Sequence, residues 1–441
     1  MAVTTTDTHR AIRAVFKIES AKLIASLTRV TRDIGLAEEL AQDALVAALE
    51  NWPQTGIPEK PAAWLMATAR HRAIDHLRRD KLAERKHAEI GRELEADQAM
   101  TPDIDAALDD DIGDDLLRLI FTACHPVLPA EARVALTLRL LGGLSTEEIA
   151  RSFLQSEPAI AQRIVRAKKS LTQARVPFEA PRGIDRALRL GSVLEVIYLV
   201  FNEGYAATAG DDWMRPALCD EALRLGRILA ELAPQEPEVH GLVALMEIQA
   251  SRFAARTGSA GEPILLLDQN RARWDQLLIR RGLAALERGE SLIARSDGKP
   301  VPTFPGRAPG PYLLQAAIAA CHARARNPED TDWARIAATY ETLARVMPSP
   351  VVELNRAVAV GRAEGPAAGL ALADALTAEP SLKHYHPLPS VRGDLLFKLG
   401  RPDEARVEFE RAAALTRNAR ERALLLERAE ACASPTGAER E

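Results

Sequence analysis

The sequence predicts an all-α protein, on three observations. Ala, Leu, Arg and Glu dominate a chain with only 4% aromatic residues, a composition that favours helices over strands. Apolar residues recur at spacings of three and four, the period of an amphipathic helix. From residue 183 onward, short breaks such as APQEP, MPSPV and LGRPD punctuate that periodicity. A length of 441 residues fits about three domains, and an apolar fraction of 47% suffices for sizeable cores. The four cysteines (Cys124, Cys219, Cys321, Cys432) lack CxxC spacing. That argues against a disulfide framework or a zinc knuckle and fits a reducing cytosol. The N-terminus has no apolar core of a signal peptide, and nowhere do eighteen apolar residues run together. A cytoplasmic protein without a membrane partner is expected.

The first helices are legible one by one. GLAEELAQDALVAALENW (35–52) is amphipathic, with its acids early, as the helix dipole prefers. PQTGIPEKP (53–61) reads as a rigid loop. PAAWLMATARHRAIDHLRRDKL (61–82) is a second helix, with Trp64, Leu65, Ala69, Ile74 and Leu77 on its core face. Arg70, His71, Arg72, Asp75, Arg78 and Arg79 occupy much of the remainder. Basic residues beside an irregular loop suit tracking of a nucleic-acid backbone and capture of an unstacked base.

The formal net charge of −5 says little about partners, but its distribution does. Arg70 to His87 holds seven Arg/Lys and three acids; Asp103 to Asp115 holds seven Asp and no base; Glu157 to Arg175 holds five bases and one acid. This order predicts two polyanion contacts joined by an acidic tether. Within 144–171, Ser145 and Glu148 form a capping box that starts a short helix, with Ile149, Ala150 and Phe153 on its apolar face. Leu154-Gln155-Ser156 breaks it, and Ser156 with Pro158 starts another. There Ile160, Ile164, Ala167 and Leu171 form a buried stripe, while Gln162, Arg166 and Lys169 recur on another face. Short helix, tight turn and longer basic helix make a helix-turn-helix, whose second helix suits a major groove.

These residues carry a resemblance. AEELAQDALVAALENW followed by WLMATARHRAIDHLRR resembles region 2 of the sigma-70 family, and 114–175 resembles its region 4. Two regions joined by a short acidic linker look like the extracytoplasmic-function (ECF) group. The stretch beginning IDRALRLGSVLEVIYLVFNEGYAA looks like the extension of the subgroup with a C-terminal tetratricopeptide-like domain. The expected organisation is region 2 at 1–92, an acidic linker at 93–113, region 4 at 114–178 and a superhelical extension at 183–441.

The resemblance implies roles residue by residue. Glu38, Glu39, Gln42 and Asp43 match the part that docks on the clamp helices of core RNA polymerase, whose flap is a further expected contact. The 53–61 loop matches the element that captures a flipped base of the −10 element. The −10 set is Lys60, Trp64, Arg70, His71, Asp75, Arg78 and Arg79, with His71 standing where many relatives have Asn. Gln162, Val165 and Arg166 match positions that meet the −35 element, while Arg163 and Lys169 grip phosphate. Ala161 departs from the usual basic or polar residue. The acidic linker matches the segment that threads towards the RNA exit path.

In the extension, GDLLFKLGRPDEARVEFERAAAL places Gly393, Leu396, Ala405, Phe409 and Ala412 at the small–large spacing of a tetratricopeptide repeat. Ala357, Val360, Gly369 and Ala373 echo it one repeat earlier. Such a module would regulate activity in cis or hold a regulatory protein partner; a plain structural cap is the bland alternative.

Enzyme signatures are missing: no GxxxxGK[ST], GxGxxG, HExxH or GxSxG occurs. Cys124-His125 reads as a buried thiol beside a histidine, His384-Tyr385-His386 lacks an obvious third ligand, and FNEGY (201–205) is as consistent with a packing turn. No cofactor is expected. The expectation is therefore a non-enzymatic sigma factor that binds polymerase, duplex promoter and melted strand. A one-component helix-turn-helix regulator with a helical sensor domain is the alternative, and a helical enzyme a distant third.

Overall fold

The computed structural model describes residues 5–89, 112–153, 155–206, 214–258, 262–294, 309–416 and 418–433. Among them the only β element is one isolated bridge, Thr257 to Pro263; the rest is helix and connection. The chain divides into two compact units, residues 1–196 and 197–441.

The first unit begins with α1 (Thr5–Thr31), α2 (Ile34–Thr55) and α3 (Pro61–Glu89). Asp33 caps α2 by accepting from the Leu36 amide at 3.0 Å. Ala37, Leu40, Ala41, Ala44, Ala47 and Ala48 form its buried stripe, and the small side chains let α1 and α3 approach closely. The expected 53–61 loop is shorter than its composition implied. Pro53, Gln54 and Thr55 complete α2, and Gly56, at φ 87°, ends it. Trp52 buries its indole edge-on against Trp64, with ring centroids 5.2 Å apart. On α3, Leu65, Ala69 and Ala73 are buried, while Trp64, Ile74 and Leu77 are only half-buried. Two neighbouring helices cover a narrower stripe than periodicity alone predicted.

Next come α4 (Ile112–Ala123), α5 (Ala130–Leu140), α6 (Thr146–Ser152) and α7 (Glu157–Gln173). The acidic linker up to residue 111 lies outside the described residues. Asp115, the end of that acidic run, sits inside α4 and is buried. It accepts from Arg118 at 2.8 Å and pairs with Arg29 of α1 at 3.2 Å. α4 therefore packs on α1 through a paired carboxylate as well as apolar contacts. The first turns of α8 (Gly183–Tyr205) belong to this unit: Ser192 donates to the Cys124 carbonyl at 2.6 Å, and Arg133 pairs with Glu195 at 2.9 Å.

The second unit contains the rest of α8, then α9 (Pro216–Leu232), α10 (Pro237–Ala250), α11 (Gln276–Ala294), α12 (Pro311–Arg324) and α13 (Trp333–Val346). It closes with α14 (Pro350–Ala363), α15 (Pro366–Ala375), α16 (Pro387–Lys398), α17 (Pro402–Leu415) and α18 (Ala419–Ala433). Seven of the ten helices from α9 to α18 start on proline, where the absent amide leaves no intrahelical bond unmade. α10 is buried on nearly every side, beneath α9, α11 and α12. Its two acids are satisfied there: Glu247 by Arg227 at 2.9 Å and Arg281 at 3.4 Å, Glu238 by the amides that open α12. Consecutive helices from α13 to α18 pack in pairs. All the small and large positions singled out from Ala357 to Ala412 are buried. Gly369 of α15 lies so near α14 that a Cβ there would meet the Ala357 carbonyl at 2.6 Å.

Candidate nucleic-acid interface

The α6–α7 pair is built from local rules. Ser145 Oγ accepts from the Glu148 amide at 3.1 Å, and the Glu148 carboxylate accepts from the Ser145 amide at 2.7 Å, completing the capping box. Ser156 stands at the N-cap of α7, but its hydroxyl takes no capping hydrogen bond; Pro158 in the first turn sets the start instead. Ile160, Ile164, Ala167 and Leu171 are buried against α5 and α6. The opposite side of α7 presents Gln162, Val165, Arg166 and Lys169 to solvent, with Arg163 half-buried at its edge. Val165 is 64% exposed, between two side chains that reach further. One face thus carries hydrogen-bonding, apolar and cationic groups.

The α3 set is arranged along a second face. Spacings of four, seven, four and three place Lys60, Trp64, His71, Asp75 and Arg78 on one side of the helix. Lys60, His71, Asp75, Arg78 and Arg79 are exposed; Trp64 and Arg70 are half-buried. Arg79 donates to the Asp75 carbonyl at 3.2 Å, which leaves the Asp75 carboxylate out of that bond. Arg72, on the flank, pairs with Asp43 of α2 at 3.3 Å.

The four α2 residues do not share one environment. Glu39 and Asp43 face solvent and Gln42 is half-buried, but Glu38 is only 6% exposed. Its carboxylate accepts from Gln42 at 3.1 Å and from Arg139 of α5 at 2.5 Å, and it forms an ion pair with Lys168 of α7. Sequence reading passed over Arg139 and Lys168. Nothing in their spacing marks them, because their partner lies on a helix far away in the chain.

The other singled-out groups are structural. Burial pushes the Cys124 thiol up to about 11, against a contact to Thr137 Oγ1 at 3.3 Å, so it stays protonated. His125 points elsewhere, accepting from the Val127 amide through Nδ1 at 3.2 Å. His386 pairs with Glu421 at 2.9 Å. FNEGY closes α8: Phe201 is buried, and Gly204 lies against Cys219, where a Cβ would meet its Sγ at 2.7 Å.

Comparison with known proteins fits this geometry. The family model "Sigma-70 region 2" matches residues 17–82, and "Sigma-70, region 4" matches 118–171. Both sigma-70 matches fall within the first unit, and over these two stretches the chain is similar to the sigma-70 family. The region 2 match covers α2 and the exposed basic face of α3, and the region 4 match covers the helix-turn-helix. A third model, a family of unknown function (DUF6596), matches residues 189–290. An uncharacterized protein of Rhizobium meliloti (strain 1021), R00370, is 46% identical over 408 residues, 91% of each chain, so the likeness runs well past the sigma-70 regions. The ECF RNA polymerase sigma factor SigL of Mycobacterium tuberculosis (strain ATCC 25618 / H37Rv) is 29% identical over 36% of this chain and 86% of its own. SigK of Mycobacterium bovis (strain BCG / Pasteur 1173P2), also named an ECF RNA polymerase sigma factor, is 28% identical over 32% and 74%.

Proposed function

We propose that the chain is a promoter-specificity factor of RNA polymerase, with α2 docking on the polymerase, α3 holding the −10 strand and α7 reading the −35 element. The observation that carries this is the solvent-facing row Gln162, Val165, Arg166 and Lys169 on a helix whose opposite face is buried. Arginine and glutamine suit base edges in a major groove, valine suits a thymine methyl, and lysine suits phosphate. On α3, exposed His71 and Asp75 suit an unpaired base, with Arg78 and Arg79 beside the backbone. Trp64, held by Trp52, is a stacking platform at the start of that face. The second unit resembles a tetratricopeptide-like module and sets activity in cis, being covalently held at high effective concentration.

Run-off transcription with core polymerase on a two-box promoter tests the reading. Full-length chain initiates there and binds duplex DNA weakly when alone. Tight sequence-specific binding without polymerase supports the one-component regulator instead. A shortened chain tests the cis role, and it should end after Val196, because cutting after Arg182 also removes Ser192 and Glu195 from the first unit. Promoter output unchanged by that shortening shows that the second unit does not regulate in cis.

A further inference from the structure

Inside the second unit, a cavity of about 190 Å³ lies among α10, α12 and the connection that follows α10. Leu245, Ile248 and Ile318 give it apolar walls. Arg252, Trp274 and His322 give it a polar end. Trp274 is 4% exposed and His322 9% exposed. The Trp274 indole N–H, His322 Nδ1 and Arg252 Nε are all buried without a hydrogen-bond partner among the described residues. All three residues line this one space, and a buried polar group left unmade is costly.

Charge sharpens the chemistry. Arg252 donates to the Tyr205 hydroxyl at 2.5 Å, and no carboxylate lines the cavity. Arg271 adds a second guanidinium, stacked 4.8 Å from the Trp274 ring centroid, and it spends its donors on the His322 and Ala325 carbonyls. Neither arginine forms an ion pair among the described residues. Both arginines are half-buried, and Glu329 and Asp330 lie near enough to Arg271 to act on it, so Arg252 is the guanidinium that meets no carboxylate in the cavity. Burial, with Arg252 and Arg271 adding to it, lowers His322 to about 4, so the ring is neutral at pH 7.

We propose that this cavity binds a small monocarboxylate: the carboxylate on Arg252 and the Trp274 N–H, its compact apolar body against Leu245, Ile248 and Ile318. A void of roughly 150 Å³ accommodates a benzene ring, so the space suits an aromatic or branched acid of that size. The site does not depend on the sigma-factor reading, and none of its residues belongs to the α2, α3 or α7 faces.

Benzoate is the probe, with benzamide as its neutral isostere and inorganic phosphate as an anion without an apolar body. Calorimetry and thermal unfolding of the full chain should show saturable benzoate binding, with benzamide and phosphate weaker by at least about tenfold. Trp274→Phe keeps the ring and removes the N–H; Arg252→Gln removes the charge. Each should weaken benzoate by on the order of tenfold to a hundredfold. Ala319→Leu fills the space and should abolish binding while the chain stays folded, which keeps the test open should Arg252→Gln fail to fold. No benzoate binding at millimolar concentration overturns the proposal. So does equal binding of benzamide, tighter binding of phosphate, or benzoate binding that survives Ala319→Leu.

Discussion

Glu38 and Arg139 lie 101 residues apart, yet the Glu38 carboxylate accepts the Arg139 Nε hydrogen bond at 2.5 Å, with Lys168 completing the pair from α7. This joins the proposed polymerase-docking helix α2 to α5 and α7, the two helices that shape the proposed DNA-reading element. An almost buried carboxylate holding two cations is costly to leave half-made.

If Glu38 must be released to meet polymerase, then weakening its internal partners favours docking. Lys168→Met keeps the packing of the side-chain stem and removes the charge. It should raise apparent affinity for core polymerase by on the order of tenfold, whereas Glu38→Gln should not. A drop in affinity for Lys168→Met, read by fluorescence anisotropy, shows that the pair supports docking rather than competing with it.

On α7, Arg166→Ala removes a proposed base contact and should cost about 1–3 kcal/mol with relaxed −35 preference. Lys169→Ala removes a proposed phosphate contact and should weaken all promoters alike, lowering the salt slope by about one. Competition assays across −35 variants at several salt concentrations check this; identical behaviour of the two variants rules out the division of roles.

The second unit carries two opposed pH dependences. Burial pushes the Glu238 carboxyl up to about 7 from 4.5, against the amides of Tyr312, Leu313 and Gly310. A folded pKa above the unfolded one means that stability falls as pH rises from about 4.5 to about 7, by on the order of 3 kcal/mol. His322, lowered to about 4 from 6.5, acts the other way: stability falls as pH drops through that window. Glu238→Gln keeps an acceptor for the α12 amides and removes only the first slope. Wild type should therefore lose stability relative to Glu238→Gln between pH 4.5 and 7, measured by denaturant midpoints. A difference that is flat with pH shows that Glu238 stays ionised throughout.

Gly369→Ala tests the close approach of α14 and α15. The added methyl meets the Ala357 carbonyl at 2.6 Å and the Gly361 Cα at 2.7 Å, backbone that cannot rotate aside. Destabilisation of about 1–3 kcal/mol is expected from such overpacking. An unchanged unfolding midpoint shows that the two helices can separate freely.

Local and periodic features were legible from residue order alone. The Ser145–Glu148 box, the Ile160–Leu171 stripe and the small residues from Gly369 to Ala412 follow from bonds and spacings within a few turns, and a helix fixes those wherever it sits. The all-α class and the exposed α7 face follow from the same periodicity.

What only the tertiary structure decided is which of two neighbouring like residues is free. Glu38 is buried and Glu39 exposed; Lys168 is paired and Lys169 exposed. Composition and charge treat each pair as equivalent, and although spacing sets Lys169 on the face of Gln162 and Arg166, only packing shows which distant helix covers Glu38 and Lys168. The same holds for Arg252, Trp274 and His322: the first two lie on the connection between α10 and α11 and the third on α12, and only packing around α10 brings them to one cavity. Periodicity assigns a face to each residue on its own helix; long-range packing assigns the face a neighbour, and the neighbour sets its chemistry.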